Sequence, residues 1–360
     1  MPRATCLTLR PAALRHNAER ARAFAEGAQL FAMVKADGYG HGLGLAARSM
    51  VDHVDGFGVA VLAEAVSLRH GGIHKPIMLL QGVLDEHELS TALKLHLEPV
   101  VHSEWQVDLI ERSGDGLLSV WLKVNTGMHR LGVDLDAAPA IIARLREISG
   151  VRLAGLMTHL ACADMRDDGL SNQQVSDIAR LAADHDLPFS AANSAGLVRY
   201  PDSRGSRVRP GIMLYGSSPF ADRDAHSMGL MPTQRLSARL IAINTVAPGG
   251  SVGYGATWTA EKETRVGVVS IGYGDGYPRH APNGTPVAVN GQRTRLVGRV
   301  SMDMLTVDLS GLPDARVGDE VELWGDTVHV DEVARQCGTI SYELFCQVTA
   351  RPRRKVDGQT

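Results

Sequence analysis

Five apolar residues, Leu30 to Val34, run straight into Lys35 in the stretch LFAMVKADGYGHG (residues 30–42), and glycines then bracket Tyr39 and His41. An ordinary surface lysine needs no such setting. A lysine that must give up its proton does, because burial disfavours the ammonium form and lowers its pKa. Other apolar runs also end in polar residues. VWLKVNTGMHRLG supplies Lys123 and Arg130, and AGLMTH supplies His159. PFSAANSAG supplies Asn193, Ser194 and Gly196, and RVRPGI supplies Arg209, Gly211 and Ile212. Taken alone, His159 reads as a structural histidine and Arg209 as half of an ion pair. NSAG is open between two readings. It can offer N–H groups, a hydroxyl and a helix start to a phosphate, or it can be an ordinary helix cap. No GxxxxGK[ST] occurs, which argues against a nucleoside triphosphate. No metal-ligand set stands out.

These residues need elements to bring them together. The chain of 360 residues is long for one core and fits about two domains. Up to about residue 215, short apolar runs of strand length alternate with stretches of helical period. PAALRHNAERARAFAEG reads as a helix opened by Pro11 and stopped by Gly27. Then come QLFAMV, a helix near 43–53, GFGV, LAEAVSLRH, PIMLL, EPVV, LLSVWLKV, VRLAGLM, PFSAA and GIMLYG. That makes about eight strand–helix alternations, the pattern of a (β/α)8 TIM-type barrel. A doubly wound sheet is the alternative, but no GxGxxG follows the first strand. After about residue 229 the texture changes. RLSARLIAINTV, RVGVVSI, PVAVN, TRLVGRV, LTVDL and DEVELWG are strand-like, with Gly, Pro and Asn between them. We therefore expect a barrel over 1–228 and a mainly β domain over 229–360.

In such a barrel the chemistry sits at the C-terminal ends of the strands. The polar residues above then converge on one face. A buried lysine beside a phosphate cradle points to pyridoxal 5'-phosphate, because the lysine must present a neutral amine to form a Schiff base.

Composition narrows the classes further. An apolar share of 44% and a charged share of 21% are those of a globular protein. A net charge of −3 argues against nucleic acid as a partner. The basic run RPRRK (351–355) reads as a solvated C-terminal face. The four cysteines form no CxxC pair, which fits reduced thiols and a cytoplasmic location. The N-terminal residues lack a signal-peptide core, and no apolar run is long enough to span a membrane.

MVKADGYGHG resembles the cofactor-lysine motif of the alanine racemases. KVNTGMHRLG, MTHLACAD, ANSAG, VRPGIMLYG, VGYGATW, IGYGDGY, GRVSMDM and ISYE resemble that family's other blocks, in its order. The resemblance implies a pyridoxal-phosphate barrel, a C-terminal β domain and a homodimer with shared active sites. It implies that Lys35 holds the cofactor and is the base facing D-alanine, while Tyr254 of the partner subunit faces L-alanine. Arg209 would meet the pyridine nitrogen. Tyr39, Ser194, Gly211, Ile212 and Tyr342 would hold the phosphate, with Asn193 counted to the cofactor site through the cradle reading of NSAG. Arg130 and the backbone of Met302 of the partner subunit would hold the substrate carboxylate, and His159 would lie behind the cofactor ring. Tyr273 and Asp303 would line the entrance. Lys123 matches a position that is carbamylated in some members and braces the arginine. Ser301 departs from the cysteine that several members carry, with no role lost.

The chemistry suits these residue types. Racemisation removes the α proton from one face and returns one to the other, so two bases are the economical solution. Lysine and tyrosine both have ordinary pKa values near 10, and both need lowering. Arginine opposite the pyridine nitrogen can only donate, which limits carbanion delocalisation and side transamination. The rival readings are a non-catalytic pyridoxal-phosphate carrier, a barrel decarboxylase, and a racemase for serine or of broader specificity. A biosynthetic role supplying D-alanine for peptidoglycan and a catabolic role are both compatible with the sequence.

Overall fold

The structure, a computed structural model, describes residues 5–112, 116–166 and 169–358. It divides into two compact units. One holds Leu14–Leu214 and Ser218–Leu230; the other holds the N-terminal residues through Ala13, Tyr215–Ser217 and the chain from Met231 onward.

The first unit is built on eight parallel strands, in the order Arg207–Val208, Gln29–Met33, Gly56–Val59, Ile77–Leu79, Glu98–Val101, Leu118–Asn125, Val151–Met157 and Phe189–Ser190. Most of these runs are mainly apolar and largely buried, and Gly56–Val59 and Ile77–Leu79 are buried at every position, as parallel strands covered on both faces must be. Helices alternate with the strands, and some show a local reason to start or stop. Pro11 opens Pro11–Ala25, and Gly27 at φ +95° lets the chain turn out of it. Asp85 caps Glu86–Lys94 by accepting the Glu88 amide at 2.7 Å. Backbone bonds from Ser206 N to Phe189 O and from Arg209 N to Ala192 O, both 2.9 Å, link the first and last strands of the row and close the barrel.

The final strand differs from expectation. GIMLYG is not a strand: Ile212–Tyr215 is a 3₁₀ turn, and the eighth strand is Arg207–Val208. Pro210 has no N–H to continue the ladder, so pairing ends there. PFSAA likewise keeps only Phe189–Ser190 as strand.

Inside the barrel an arginine replaces apolar filling. Arg207 is 8% exposed, and its guanidinium carbon stands 3.8 Å from the Phe31 ring centroid and 4.5 Å from that of Trp121. It donates to Glu98 at 2.5 Å and to Gln29 Oε1 at 3.2 and 3.3 Å. A buried pair is costly to halve, because the remaining charge keeps its desolvation penalty. Arg207→Met is therefore expected to cost about 3–5 kcal/mol in urea unfolding. The double variant Arg207→Met/Glu98→Gln should recover at least half of that loss. No recovery would mean that packing on Phe31 and Trp121, not the charge pair, carries the stability.

The second unit centres on the long strand Gln234–Val246. It pairs antiparallel with Cys6–Leu9, Glu320–Trp324 and Thr264–Val269, with a bulge between Leu240 and Ala242. Cys6–Leu9 also pairs in parallel with Arg353–Val356, so the first strand of the chain lies in this unit rather than in the barrel. Arg353, Arg354 and Lys355 are exposed on that edge, where charge discourages further strand pairing. Two helices, Val330–Gln336 and Ser341–Gln347, complete the unit.

Candidate active site

Strand Gln29–Met33 delivers Lys35 to the C-terminal end of the barrel. The backbone then turns left-handed. Ala36, Asp37, Gly38 and Tyr39 have φ of +53°, +54°, +61° and +52°. Gly40 and Gly42 follow at +75° and +91°. A left-handed conformation costs about 1–2 kcal/mol per non-glycine residue, so Ala36, Asp37 and Tyr39, three such residues within four positions, must be held. The glycines therefore serve the turn itself. Gly38 serves packing as well, since a Cβ there would stand 2.9 Å from that of Ala46. The turn sends Tyr39 inward, with 7% exposure, and its hydroxyl occupies the space a Cβ on residue 211 would take. Gly211 is thus required where RVRPGI meets KADGY.

A group of cations surrounds this end of the barrel. Burial comes first among the causes that bring the Lys123 amine down from 10.5 to about 8, followed by Arg209, Arg130 and Lys35. Burial and the same cations together with Lys123 hold His159 well below its ordinary pKa, so it stands neutral. The charges that act on these two side chains are all positive, which is the electrostatics of a site that receives an anion. The Lys123 shift predicts a pH effect. Between pH 8 and 10.5 the unfolded state binds the extra proton, so this group makes stability rise with pH there; below pH 8 the folded state carries the full penalty. Lys123→Met should therefore stabilise the cofactor-free protein by about 2–3 kcal/mol at pH 7. The gain should vanish by about pH 10.5, as followed by urea unfolding in carbonate-free buffer. A variant no more stable than wild type at pH 7 would show that the amine is solvated.

Arg209 is 4% exposed and committed to the barrel. Nη1 donates to Ser190 Oγ, and Nη2 donates to Thr158 O at 2.6 Å and Ala191 O at 3.3 Å. Its Nε–H makes no hydrogen bond among the described residues. Burial, then Arg207, lowers its pKa to about 9, so it stays protonated at neutral pH. The next residue after Thr158 is His159, whose carbonyl accepts from Gln174 at 3.0 Å. Gln174 also accepts from Ala161 N at 2.9 Å and donates to Thr126 Oγ1 at 3.2 Å. This buried amide ties the loop that leads to Arg130 to the loop that carries His159. Arg130 itself is exposed.

Asn193 and Ser194 divide their work. Asn193 caps helix Ser194–Arg199, accepting the Gly196 amide at 2.9 Å, so the capping reading of NSAG is realised at this residue. Ser194 Oγ accepts from Gly211 N at 2.9 Å and Met213 N at 3.5 Å. Its own O–H is then left to donate, as a phosphate oxygen requires. Ile212, directly after Gly211, is fully buried.

The β unit presents Tyr254, Tyr273, Met302 and Asp303 on turns and loops. Tyr254 is 70% exposed in a turn where Gly253 and Gly255 have φ of +77° and +75°. Tyr273 N donates to Ser301 O at 3.0 Å, and Gly274 N to Met302 O at 2.9 Å, so the loops of Tyr273 and of Met302–Asp303 form one assembly. Arg351 donates to Asp303 at 2.6 Å. Ser301 donates to Met304 O at 2.7 Å, a structural use for the residue that departs from cysteine. Tyr342 lies in helix Ser341–Gln347, where Ser341 Oγ meets Ser217 Oγ at 2.5 Å. Sequence reasoning missed Thr158, Ser190, Gln174 and Arg351, which support the others by polar contacts that no local pattern encodes.

Comparison with known proteins settles the family. Residues 9–219 match the family described as "Alanine racemase, N-terminal domain", and residues 233–356 match "Alanine racemase, C-terminal domain". The chain belongs to the alanine racemase family. It is 58% identical to an alanine racemase of Alcanivorax borkumensis, over 98% of this chain and 99% of that one. It is 51% identical to "Alanine racemase, biosynthetic" of Pseudomonas aeruginosa, over 95% of this chain and 96% of that one. The crystal structure of the biosynthetic alanine racemase from P. aeruginosa superposes with a TM-score of 0.95, covering 99% of both chains at 48% identity. That of alanine racemase from Acinetobacter baumannii gives 0.93, covering 98% of this chain and 99% of that one at 37% identity. As an alanine racemase the chain is an isomerase that interconverts L- and D-alanine. The match of residues 233–356 to the second racemase domain sets aside the barrel-only carrier. Among the described residues, no helix is long and apolar enough to cross a membrane.

Proposed function

We propose that this racemase works as a cytoplasmic homodimer with pyridoxal 5'-phosphate held at Lys35, each site being completed by the second subunit, and that it supplies D-alanine for peptidoglycan. The observation that carries the reading is the set of barrel residues around Lys35. Lys35, Lys123, Arg130 and Arg209 make an anion-receptive end, Ser194 keeps a hydroxyl proton to donate, and Arg209 keeps its Nε–H. These fit a flat, anionic cofactor whose ring nitrogen accepts one hydrogen bond. Tyr39, Ser194, Gly211, Ile212 and Tyr342 would hold the phosphate, with Asn193 fixing the turn that presents Ser194. The biosynthetic relative in P. aeruginosa supports the supply role.

Bound pyridoxal phosphate supplies an electron sink that acidifies the α carbon of alanine. The protein does the rest. Lys35 Nζ takes or returns the α proton on the face presented by D-alanine. Tyr254 Oη of the partner subunit does the same on the face presented by L-alanine. Arg130 and the Met302 backbone of the partner subunit hold the carboxylate, and His159, neutral, orients its neighbours without adding charge. Tyr273 and Asp303 line the way in. The exposed Tyr254, Tyr273, Met302 and Met304 are what a dimer surface would cover.

The purified protein should be yellow and should racemise alanine well ahead of serine, lysine and arginine. Lys35→Ala should abolish the visible absorbance. If that variant keeps a borohydride-reducible link to the cofactor, the reactive lysine is another, and Lys123 is the next to test.

A further inference from the structure

Glu64 belongs to the strand–helix unit beside that of Lys35. Strand Gly56–Val59 pairs in parallel with Gln29–Met33, and helix Leu62–His70 follows it. One carboxylate oxygen, Oε2, accepts from Ala60 N at 2.8 Å and Val61 N at 3.3 Å, as an acid in the first helical turn does. The other, Oε1, makes a bond that capping does not need. It accepts from Ala36 N at 2.7 Å, the amide directly after Lys35. Four further bonds of the left-handed turn lie within its own segment. Gly38 N donates to Val34 O at 2.8 Å, Gly40 N to Ala36 O at 3.0 Å and Gly42 N to Asp37 O at 2.8 Å, while Asp37 Oδ1 accepts Leu43 N at 2.8 Å. Ala36 N–H is instead reached from the neighbouring unit. A left-handed stretch in non-glycine residues persists only where its surroundings fix it.

We propose that Glu64 is the positioning residue for Lys35. Its carboxylate fastens the start of the left-handed turn and thereby sets where Lys35 Nζ stands. The proposal rests on the reading of Lys35 as the reactive lysine and deepens it.

The next strand–helix unit contains a matched control. Glu88 occupies the same place in helix Glu86–Lys94 and accepts from Leu84 N at 2.9 Å, with no bond to the Lys35 turn. Glu64→Ala, Glu64→Gln and Glu88→Ala should be compared as holoenzymes. Both alanine variants lose a helix cap and should lose similar Tm. Only Glu64→Ala should lose about 10–100-fold in kcat, the scale set by about 1 Å of misplacement, with KM for alanine nearly unchanged. It should also weaken pyridoxal-phosphate affinity by about tenfold or more and speed amide hydrogen exchange across residues 35–43. Glu64→Gln keeps one acceptor, turns the other arm into a donor facing backbone N–H, and should fall between; it carries the test if the alanine variant does not fold. Glu64→Ala matching Glu88→Ala in kcat, cofactor affinity and exchange would reduce Glu64 to a helix cap and overturn the proposal. Failure of the reading beneath it looks different. Wild type would then attach no cofactor at Lys35, while the exchange contrast across 35–43 would still decide whether Glu64 holds the turn.

Discussion

Mixing two dead homodimers should restore activity. Lys35→Ala removes one proposed base and Tyr254→Phe the other, and each homodimer should be nearly inactive. If each site takes Lys35 from one subunit and Tyr254 from the other, the heterodimer has two unlike sites. One site combines both lesions. The other pairs the Lys35 of the Tyr254→Phe chain with the Tyr254 of the Lys35→Ala chain and is intact. About half of wild-type activity per heterodimer is the ceiling if the sites act independently. Tyr254→Phe should not disturb the fold, because the ring is 70% exposed and loses only its hydroxyl. Were both bases from one chain, every heterodimer site would carry one lesion and mixing would restore nothing. Subunit exchange is checked with differently tagged chains. Confirmed heterodimers without rescue would sink the shared site, and with it Tyr254 as a base acting across the interface.

What could be read from the sequence follows from how local each signal is. The barrel was legible because parallel strands are apolar at successive positions and their helices carry their own period, as GFGV followed by LAEAVSLRH does. GIMLYG has the same apolar look, yet it turns, because Pro210 ends the ladder before it. Cys6–Leu9 escaped notice because its partners are Gln234–Ser237 and Arg353–Val356, far away in the chain. The setting of Lys35 was legible as unusual, but not as left-handed: Ala36 and Tyr39 carry no signature of positive φ, Asp37 only a weak one, and the turn is fixed by bonds within the segment together with the contact from Glu64. In RPRRK, exposure holds for Arg351 and for the strand residues Arg353 to Lys355, and Arg351 also reaches Asp303 by a contact across 48 positions that the sequence does not show.

Arg209→Glu should lower racemisation by at least about a hundredfold, the usual cost of losing a buried donor aimed at the reacting system. It should also raise side transamination relative to racemisation. The reason lies in what each side chain can do with a proton. Arg209 is protonated below about pH 9 and can only donate through its Nε–H, so a ring nitrogen that accepted from it would gain no proton. A carboxyl group in the same place would be buried against the carbonyls of Thr158 and Ala191, which favours its protonated form and gives the site a transferable proton. Arg209→Lys separates this effect from simple loosening. It keeps the cation and a donor but cannot reach Ser190, Thr158 and a ligand in one plane, so it should lose rate without changing the transamination ratio. Cofactor absorbance and Tm are followed in both variants to confirm that the site is filled and folded. A glutamate variant that binds cofactor, loses rate and shows an unchanged ratio would leave Arg209 as a clamp on the Thr158 and Ser190 loops and would remove it from the pyridine nitrogen.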